Sequence, residues 1–527
     1  MNYVLHVLLL ICSAMFVLYV LNGITYYLQL NGYNHFANVK TLVHKQSIDV
    51  LAIYFTPCVI SEIINLFLVG NSIMWVFLLA EILTFGAIIF VLSSSKSNHK
   101  VSVKLTKRYI RIYTLSLVIS ICAISYFCYH IIFGFNQLFG LVYVFPLVVL
   151  FSVFLACVLL FPFEKIISMH YISDAVKILK NHGGITNIAI TGSYGKTSTK
   201  FILKTILSQK YRVIATPGSY NTPMGITKTI REMLTADTDV FIMEFGANKV
   251  GDIKYLCKKF RPNIGIMTSI GKAHINTFKS IDNVIQAKSE LVNNLYGNNT
   301  FAVFNTDNEY LKKIYMGYKD TKIACGLKGG ELVATNIGTN PTGTTFDVVK
   351  DGKTFVTLKT KLIGLQNITN ILLAVAVAIK LKLSKQQIID GVKELSQISA
   401  RMEVMPHSSG AIIINDGYNS NPYSARVAID NMNLFDKKHK IVLTPGMVEL
   451  GKLQYSENYN YGVYMASKVD RVYIANRENM LALKRGLVDG GMSLKDIYTN
   501  ATLSSTLKTL TKDDILLIEN DLPDNYL

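Results

Sequence analysis

TGSYGKTSTK, residues 191–200, decides the fold of the second part of this chain. It follows a short β-branched run and opens a segment of helical composition. A glycine-rich turn between a strand and a helix lets backbone N–H groups converge on phosphate oxygens. Gly192 and Gly195 permit close backbone approach. Lys196 can reach the β- and γ-phosphates, and Thr197 offers a hydroxyl to Mg²⁺. The stretch predicts a nucleoside triphosphate site, with a Gly-x-x-Gly-Lys-Thr spacing shorter than the general pattern.

Strand-like runs alternate with helical stretches on either side of this loop. The strand candidates are 185–191, 212–216, 239–244, 263–268, 301–305 and 322–325. Such alternation predicts a parallel sheet wrapped by helices. The stretch 330–362 alternates Thr and Val and predicts an antiparallel hairpin at the sheet edge. Further strands near 411–415, 441–444, 471–474 and 514–518 predict a second, Rossmann-like α/β domain.

Three chemically active side chains follow the loop in order. Glu244 ends one predicted strand, His274 follows the next, and Lys288 lies on a later helix. Ligands of open α/β sheets bind at the carboxyl ends of the strands, where these groups would gather. Each has an ordinary alternative, as a salt-bridge partner, a capping group or a solvated surface charge. Their order around one phosphate loop favours metal-assisted phosphoryl chemistry.

The first third of the chain has a different composition. The whole chain of 527 residues carries a net charge of +18, yet residues 1–163 hold only eight Lys or Arg and three Asp or Glu. Crossing a bilayer as a helix takes about 20 apolar residues. The stretches that meet this length predict a membrane region of about five spans, at 3–21, 50–69, 73–94, 112–134 and 138–161.

Loop charges predict the orientation of these spans. Both basic loops, 22–49 and 95–111, belong on the cytoplasmic side by the positive-inside rule. The N-terminus would then be outside and everything after residue 161 cytoplasmic, in a bacterial-type cytoplasmic membrane. Two intramembrane acids, Glu62 and Glu81, would lie at similar depth as functional candidates or as a structural pair.

Other function classes are disfavoured. The seven cysteines form no CxxC pair or Cys/His cluster, so neither a disulfide framework nor a zinc site is expected. No nucleic-acid motif accompanies the positive charge, which suits anionic lipid or a phosphorylated substrate. The connector 164–183 predicts a basic amphipathic helix, either at the membrane surface or packed on the nucleotide domain.

Nine ordered motifs in residues 185–520 resemble the Mur ligases, ATP-dependent amide-forming enzymes of cell-wall precursor synthesis. They are TGSYGKTSTK, SYNTPMGI, MEFGAN, IGKAHINTF, QAKSEL, LIGLQNITN, RMEV, NDGYNSNP and MVELG. The last two are most similar to the D-alanyl-D-alanine-adding branch. The composition predicts a transmembrane region over 1–163 and a connector helix over 164–184. The resemblance implies an ATP-binding central domain over 185–400 and a C-terminal ligase domain over 401–527.

The resemblance also implies roles for individual residues. ATP would contact Gly192, Ser193, Gly195, Lys196, Thr197, Ser198, Asn367, Asn370, Arg401 and Asp416. Thr197 would hold the Mg²⁺ of the triphosphate, and Glu244 and His274 would hold a second Mg²⁺ near the γ-phosphate. Lys288 would be a carbamylated lysine that acts as a further metal partner. Lys196, Lys288 and His274 would be catalytic. The substrate contacts implied are Asn221, Asn419, Asn421 and Ser424.

Three departures concern the acceptor. Membrane spans stand where the family has a UDP-binding domain, Pro445-Gly446 replaces Gly-Asp, and the tail lacks a Lys-Gly-Ser motif. We therefore expect a membrane-anchored ligase that activates a carboxylate as an acyl phosphate and joins it to an amino acid or dipeptide. Its acceptor would be lipid-linked. A scaffold subunit with a catalytic partner, a ligase acting on the conventional UDP-linked tripeptide, and a transport ATPase are the alternatives.

Overall fold

The structure, a computed structural model, describes residues 18, 21–26, 28–29, 33, 104–133, 145–272, 275–340, 342–418, 420–475 and 478–520. The chain divides into two compact units. The first holds the residues up to Met169, and the second begins at His170.

Two long helices dominate the described part of the first unit. They are α1 (Lys107–Phe133) and the first part of α2 (Phe145–Asn181). Together with helical residues of the N-terminal segment they bury a small apolar cluster of Leu21, Ile24, Leu28, Ile112, Val149, Val153 and Cys157. Glu164 on α2 accepts a hydrogen bond from Nε of Arg111 on α1 at 2.7 Å. This ion pair therefore joins the two helices in addition to their apolar contacts.

The two helices coincide with two of the predicted spans. By length and composition alone, the segments 107–126 and 148–181 could each cross a bilayer. They contain most of the predicted spans 112–134 and 138–161. The predicted spans 50–69 and 73–94, Glu62, Glu81 and nearly all of the span 3–21 lie outside the described residues.

The second unit begins with a nine-stranded sheet in the order β2-β3-β1-β4-β5-β6-β7-β8-β9. Its strands are β1 (Thr186–Thr191), β2 (Val213–Ala215), β3 (Val240–Glu244), β4 (Ile264–Met267), β5 (Phe301–Asn305), β6 (Lys322–Gly326), β7 (Leu332–Asn340), β8 (Gly343–Lys350) and β9 (Lys353–Thr360). Strands β1 to β7 pair with one another in parallel fashion. Strand β8 pairs in antiparallel fashion with β7 on one side and with β9 on the other. All six predicted parallel strands form.

The predicted edge hairpin is wrong in strand number. The stretch 330–362 makes a three-stranded meander because it contains two turns rather than one. The second turn is Asp351-Gly352, with φ of 51° and 73°. A two-residue hairpin loop needs positive φ at both positions, and Asp-Gly supplies this at low cost.

Helices cover both faces of this sheet. They are α3 (Lys196–Leu207), α4 (Pro223–Met233), α5 (Asp252–Phe260), α6 (Ile275–Phe278), α7 (Ile281–Ser289), α8 (Glu309–Gly317), α9 (Leu365–Lys380) and α10 (Lys385–Lys393). One core lies between the sheet and α3, α9 and α10. The other lies between the sheet and α4, α5, α7 and α8. A doubly wound sheet places its ligand site outside the carboxyl ends of its strands.

The end of α2 packs on the nucleotide domain. Ala175 and Leu179 are buried in the same core as Ile226 and Ile230 of α4. Arg231 forms an ion pair with Asp174 at 2.9 Å. Of the two alternatives for the connector, these contacts support packing on the nucleotide domain for this part of it.

A six-stranded sheet forms the rest of the second unit, in the order β10-β11-β15-β12-β13-β14. Its strands are β10 (Glu403–Pro406), β11 (Ile412–Asp416), β12 (His439–Thr444), β13 (Arg471–Ile474), β14 (Ile497–Thr499) and β15 (Asp514–Glu519). Its helices are α11 (Pro422–Met432), α12 (Gln454–Ala466), α13 (Met480–Asp489) and α14 (Leu503–Leu507). Only β10 pairs in antiparallel fashion, so this is the predicted Rossmann-like unit.

A fully buried carboxylate lies at the carboxyl edge of this second sheet. Glu519 ends β15 beside Asp416 of β11 and accepts a hydrogen bond from the Thr444 hydroxyl at 2.6 Å. Its Oε1 has no hydrogen-bond partner among the described residues. Burial raises the pKa of Glu519 to about 8, and the nearby Asp416 adds to the rise.

The raised pKa makes stability depend on pH. The folded state holds a proton on Glu519 more tightly than the unfolded chain, whose Glu pKa is near 4.5. The stabilisation is therefore complete below about pH 4.5 and is lost as pH rises through about 8. We expect Glu519→Gln to remove this loss, which has a limiting slope of about 1.4 kcal/mol per pH unit. Thermal unfolding of the full chain at pH 5–9 measures it. The exposed Asp513→Asn serves as the control, and parallel pH profiles for wild type and Glu519→Gln would contradict the assignment.

Candidate active site

The phosphate loop is shaped by the segment that follows β4. The backbone N–H of Ser193 donates to the carbonyl of Ser269 at 2.8 Å, and that of Tyr194 donates to Ser269 Oγ at 2.8 Å. The hydroxyls of Thr268 and Ser269 donate in turn to the carbonyl of Tyr194. A Cβ placed on Gly192 would lie 2.0 Å from Thr268 Oγ1. The loop after β1 is therefore hydrogen-bonded to the segment that follows the neighbouring strand β4. Only a glycine fits at residue 192.

Lys196 is the first residue of α3 and folds back over the loop. Its Nζ donates to the carbonyl of Gly192 at 2.7 Å. Burial lowers the pKa of Lys196, and the negative charge of Glu244 partly offsets that effect. The predicted phosphate-binding cation thus lies directly above the glycine turn.

The Glu244 side chain is almost completely buried at the end of β3. Three donors meet its carboxylate: Thr197 Oγ1 at 2.9 Å, Lys200 Nζ at 3.1 Å and Asn221 Nδ2 at 3.3 Å. Burial opposes ionisation of Glu244, but Lys200 and Lys196 outweigh it and hold its pKa below the usual value. Thr197 and Glu244, which are predicted ligands of different Mg²⁺ ions, are therefore in direct contact.

Lys200 is a site residue that the sequence analysis missed. Its side chain is fully buried, and Nζ also donates to the carbonyl of Gly218. Its position one helical turn after Lys196 could have identified it, because residues four apart share one face of a helix. Lys200 neutralises Glu244 and joins α3 to the loop after β2.

Lys288 of α7 is 4% exposed and lies on the same cavity as Lys196. Burial lowers the pKa of Lys288 to about 7, helped by the positive charge of Lys196 and opposed by Asp252 and Glu244. No carboxylate in the described part of the chain forms an ion pair with its Nζ. His274 lies outside the described residues, so its predicted place beside Lys288 and Glu244 stays a prediction.

A cavity of about 360 Å³ opens between the phosphate loop and the start of α5. Its lining mixes lysines, amides and backbone with an apolar wall, and comprises Gly192, Ser193, Lys196, Asn221, Thr222, Pro223, Gly246, Ala247, Asn248, Asp252, Tyr255, Leu256, Phe278, Val284 and Lys288. Two lysines facing one cavity suit an anionic group, and the apolar wall suits the carbon skeleton that carries it.

The two predicted adenine-side asparagines have different surroundings. Asn370 Oδ1 accepts a hydrogen bond from Thr199 at 3.1 Å and lies against Gly195 of the phosphate loop. Asn367 instead donates to the carbonyl of Ile363 at 2.8 Å. Only Asn370 is in direct contact with the phosphate-loop segment. Ser198, the remaining predicted loop contact, is buried on α3.

Arg401 and Asp416 lie near each other, Arg401 just before β10 and Asp416 at the end of β11. The Arg401 guanidinium lies 4.1 Å from the ring centroid of Tyr418, and Asp416 Oδ1 accepts from the backbone N–H of Met402 at 3.1 Å. Burial raises the pKa of Asp416 to about 6, opposed by that N–H and by Arg401. The Arg401 charge also lowers the pKa of Lys196, so the structure brings it near the phosphate loop.

The predicted substrate residues mainly hold local structure. Asn421 and Ser424 form a reciprocal cap at the N-terminus of α11. Asn221 bonds to Glu244 and lines the cavity. Asn419 lies outside the described residues. Of the four, Asn221 is therefore the described residue with a side chain on the cavity.

Comparison with known proteins agrees with this arrangement. The Mur ligase middle domain pattern matches residues 190–378. A UDP-N-acetylmuramoyl-tripeptide–D-alanyl-D-alanine ligase of Synechocystis is 31% identical over 337 residues, which cover 63% of this chain and 71% of that protein. The enzyme of the same name from Buchnera aphidicola is 33% identical over 52% of this chain, and the match spans 59% of its own length.

A solved structure supports the same fold. MurF ligase from Thermotoga maritima, in complex with ADP, superposes with a TM-score of 0.60 at 24% identity, covering 67% of this chain and 80% of that one. The chain belongs to the Mur ligase family of ATP-dependent, ADP-forming ligases.

Proposed function

We propose that this chain is a membrane-anchored amide ligase of cell-wall or surface-polymer precursor synthesis. It activates a carboxylate on a lipid-linked acceptor as an acyl phosphate and joins it to the amine of an amino acid or dipeptide. The observation that carries the proposal is the cavity that Lys196 and Lys288 both line, together with the contact between Thr197 and Glu244.

The loop residues fit ATP. The close approach at Gly192 leaves no side chain between the backbone and a bound phosphate, and the amides at the start of α3 add positive potential. Lys196 supplies a charge above that turn. The Thermotoga relative binds ADP, which agrees with this assignment. Asn370 lies against Gly195 of this loop and is proposed as a further nucleotide contact, together with Arg401 and Asp416.

Thr197 and Glu244 fit Mg²⁺ because a hydroxyl and a carboxylate are hard oxygen ligands. No group of three or more His, Cys, Asp or Glu side chains forms a metal cluster among the described residues. Mg²⁺ usually takes one or two protein ligands and completes its shell with water and substrate phosphates, so two ligands suffice. When bound, it would offset negative charge on the phosphoryl oxygens. His274 is proposed as a ligand of a second ion.

Lys288 fits a carbamylated lysine. An amine buried on a cavity, without a carboxylate partner in the described residues, is a costly place for a charge. Addition of carbon dioxide to the neutral amine forms an N–C bond and releases a proton. The product is an anion that suits a metal-bearing site. We propose this form for the active protein.

The remaining chemistry is assigned to the chain's own groups. Lys196 and the loop amides orient the γ-phosphoryl group and stabilise charge as it moves to the acceptor carboxylate, and ADP leaves. The amine then attacks the acyl carbon and phosphate leaves. On closure, the second sheet domain would bring Arg401 and Asp416 to the nucleotide and exclude water from an easily hydrolysed intermediate.

The helices of the first unit support membrane anchoring. Large apolar side chains such as Phe151, Phe161, Phe163 and Ile166 are exposed along α2. In water such exposure is costly, whereas lipid tails accept it. Basic residues near the start of α1 favour the cytoplasmic side for that end. We therefore propose a multi-pass protein with an outside N-terminus, cytoplasmic ligase domains and an acceptor held at the inner leaflet.

A second candidate is the activity for which the relatives are named. The Synechocystis and Buchnera proteins are ligases that add D-alanyl-D-alanine to a UDP-linked muramoyl tripeptide.

The acceptor assay separates the two functions. We expect the purified protein in lipid nanodiscs, given ATP, Mg²⁺ and amino acids or dipeptides, to form amide on polyprenyl-linked but not on UDP-linked acceptors. Mass spectrometry of products and release of ADP are the readouts, with Lys196→Ala as the inactive control. Amide formation on the UDP-linked form alone would refute the lipid-linked acceptor, and no ADP release with any acceptor would favour a scaffold.

The carbamate assignment is tested by chemical rescue. We expect Lys288→Ala to lower turnover at least 100-fold, because the site loses a negative metal partner. Added formate or acetate should restore part of it by occupying the vacated space. Lys196→Ala is the matched control, since a small carboxylate cannot replace a cation. Full activity of Lys288→Ala without added formate or acetate would contradict the carbamate assignment.

The close approach of Thr268 to Gly192 predicts the effect of adding a single methyl group at residue 192. We expect Gly192→Ala to weaken ATP binding at least 10-fold, because the new Cβ would collide with Thr268 Oγ1 and displace the loop. Gly183→Ala, where the added Cβ meets nothing within 4 Å, should bind ATP like the wild type. Isothermal titration calorimetry measures both. Equal affinities for the two variants would contradict the assigned cradle.

A further inference from the structure

The phosphate loop carries an aromatic side chain that the chemistry above does not use. The Tyr194 ring stacks on Tyr423 of the second sheet domain, with ring centroids 6.3 Å apart and planes inclined by 15°. Tyr194 lies between the two glycines of the loop, and Tyr423 lies in the first turn of α11. The stack therefore joins the phosphate loop to the second sheet domain, which also contains Asp416.

The loop is built to hold this ring in place. The backbone N–H and carbonyl of Tyr194 are both bonded to the segment after β4. A Cβ on Gly271 would lie 2.1 Å from the Tyr194 hydroxyl, so the ring occupies space that a glycine leaves free. Any displacement of the loop must consequently move the ring relative to Tyr423.

A second contact joins the same two domains nearby. Lys272, next to Gly271, forms an ion pair with Glu457 of α12 at 2.9 Å. Two further contacts join the domains near residues 363–366. Asn431 donates to Gln366 at 3.1 Å, and Ile363 packs in the core of the second domain. The contacts thus separate into a junction around Ile363 and Gln366 and a closing pair at Tyr194 and Lys272.

We propose that Tyr194 is a positioning residue that stacks on Tyr423 to hold the second domain over the loaded phosphate loop, so that amine attack follows activation before water enters. This rests on the proposed ligase function. The Tyr423 backbone N–H also bonds to Asn421, which caps α11. The stack therefore fixes the start of α11 relative to the phosphate loop.

The ion pair provides a readout that does not depend on ligase activity. A zero-length carbodiimide couples an amine to a carboxylate only while the two are in contact. In the full chain in nanodiscs, the Lys272–Glu457 cross-link therefore reports closure. The Lys468–Asp430 pair, at 2.7 Å within the second domain, provides the internal reference.

The variants are chosen to separate stacking from folding. We expect Tyr194→Ala to lower the Lys272–Glu457 cross-linking rate about 2- to 10-fold relative to the reference, the effect of losing one aromatic pair. Tyr194→Phe keeps the ring and should match the wild type. Tyr423→Ala should have the same effect as Tyr194→Ala, with no further loss in the double variant. An unchanged rate in Tyr194→Ala, or additive losses, would overturn the proposal.

Amide formed per ADP released then tests the role in coupling. We expect Tyr194→Ala to release ADP with acceptor present but to form at least threefold less amide per ADP, with Tyr194→Phe unchanged. Loss of the cross-link with an unchanged amide-to-ADP ratio would overturn the positioning role. If the wild type forms no amide with any acceptor, the ligase function fails, while the cross-link still decides whether the stack holds the domains together.

Discussion

The buried carboxylate of Glu244 is the interaction on which the active-site region depends. A carboxylate removed from water costs several kcal/mol unless donors replace its hydration. Here the donors come from α3, through Thr197 and Lys200, and from the loop after β2, through Asn221. Three segments distant in sequence must therefore meet at the end of β3, and their meeting places Lys196 above the glycine turn.

The same charge arrangement prepares the site for a cation. Glu244 remains ionised because Lys200 and Lys196 offset its burial. Its contact with the Thr197 hydroxyl presents two hard oxygen ligands together. Lys288 is in a different situation, since it is buried near another cation and forms no ion pair with a carboxylate of the described residues. Lys200 neutralises Glu244, whereas the surroundings of Lys288 favour a negatively charged partner. Both properties support phosphoryl chemistry at this cavity.

Several features could be predicted from the sequence, and the reasons are local. Strands β1 to β6 and the strands β11, β12, β13 and β15 follow from short apolar runs bounded by turns, and the phosphate loop follows from glycine spacing before Lys196. The short strands β10 and β14 were not predicted. The stretch 330–362 forms a meander rather than the predicted hairpin because it contains two turns. Asn421 and Ser424 form a capping box at the start of α11, and their contact with substrate stays a prediction. A capping box and a binding loop use the same polar residue types, so the sequence does not separate them.

By itself the sequence determined the two α/β sheets, the glycine turn and the identity of the charged groups, because these depend on periodicity and on residue chemistry. Only the tertiary structure decided that Lys200 neutralises Glu244, that Lys288 is buried on the cavity of Lys196, and that Tyr194 reaches Tyr423. These pairings join residues 44, 92 and 229 positions apart. Contacts over such separations depend on strand order and on how two domains pack, and no local pattern encodes either.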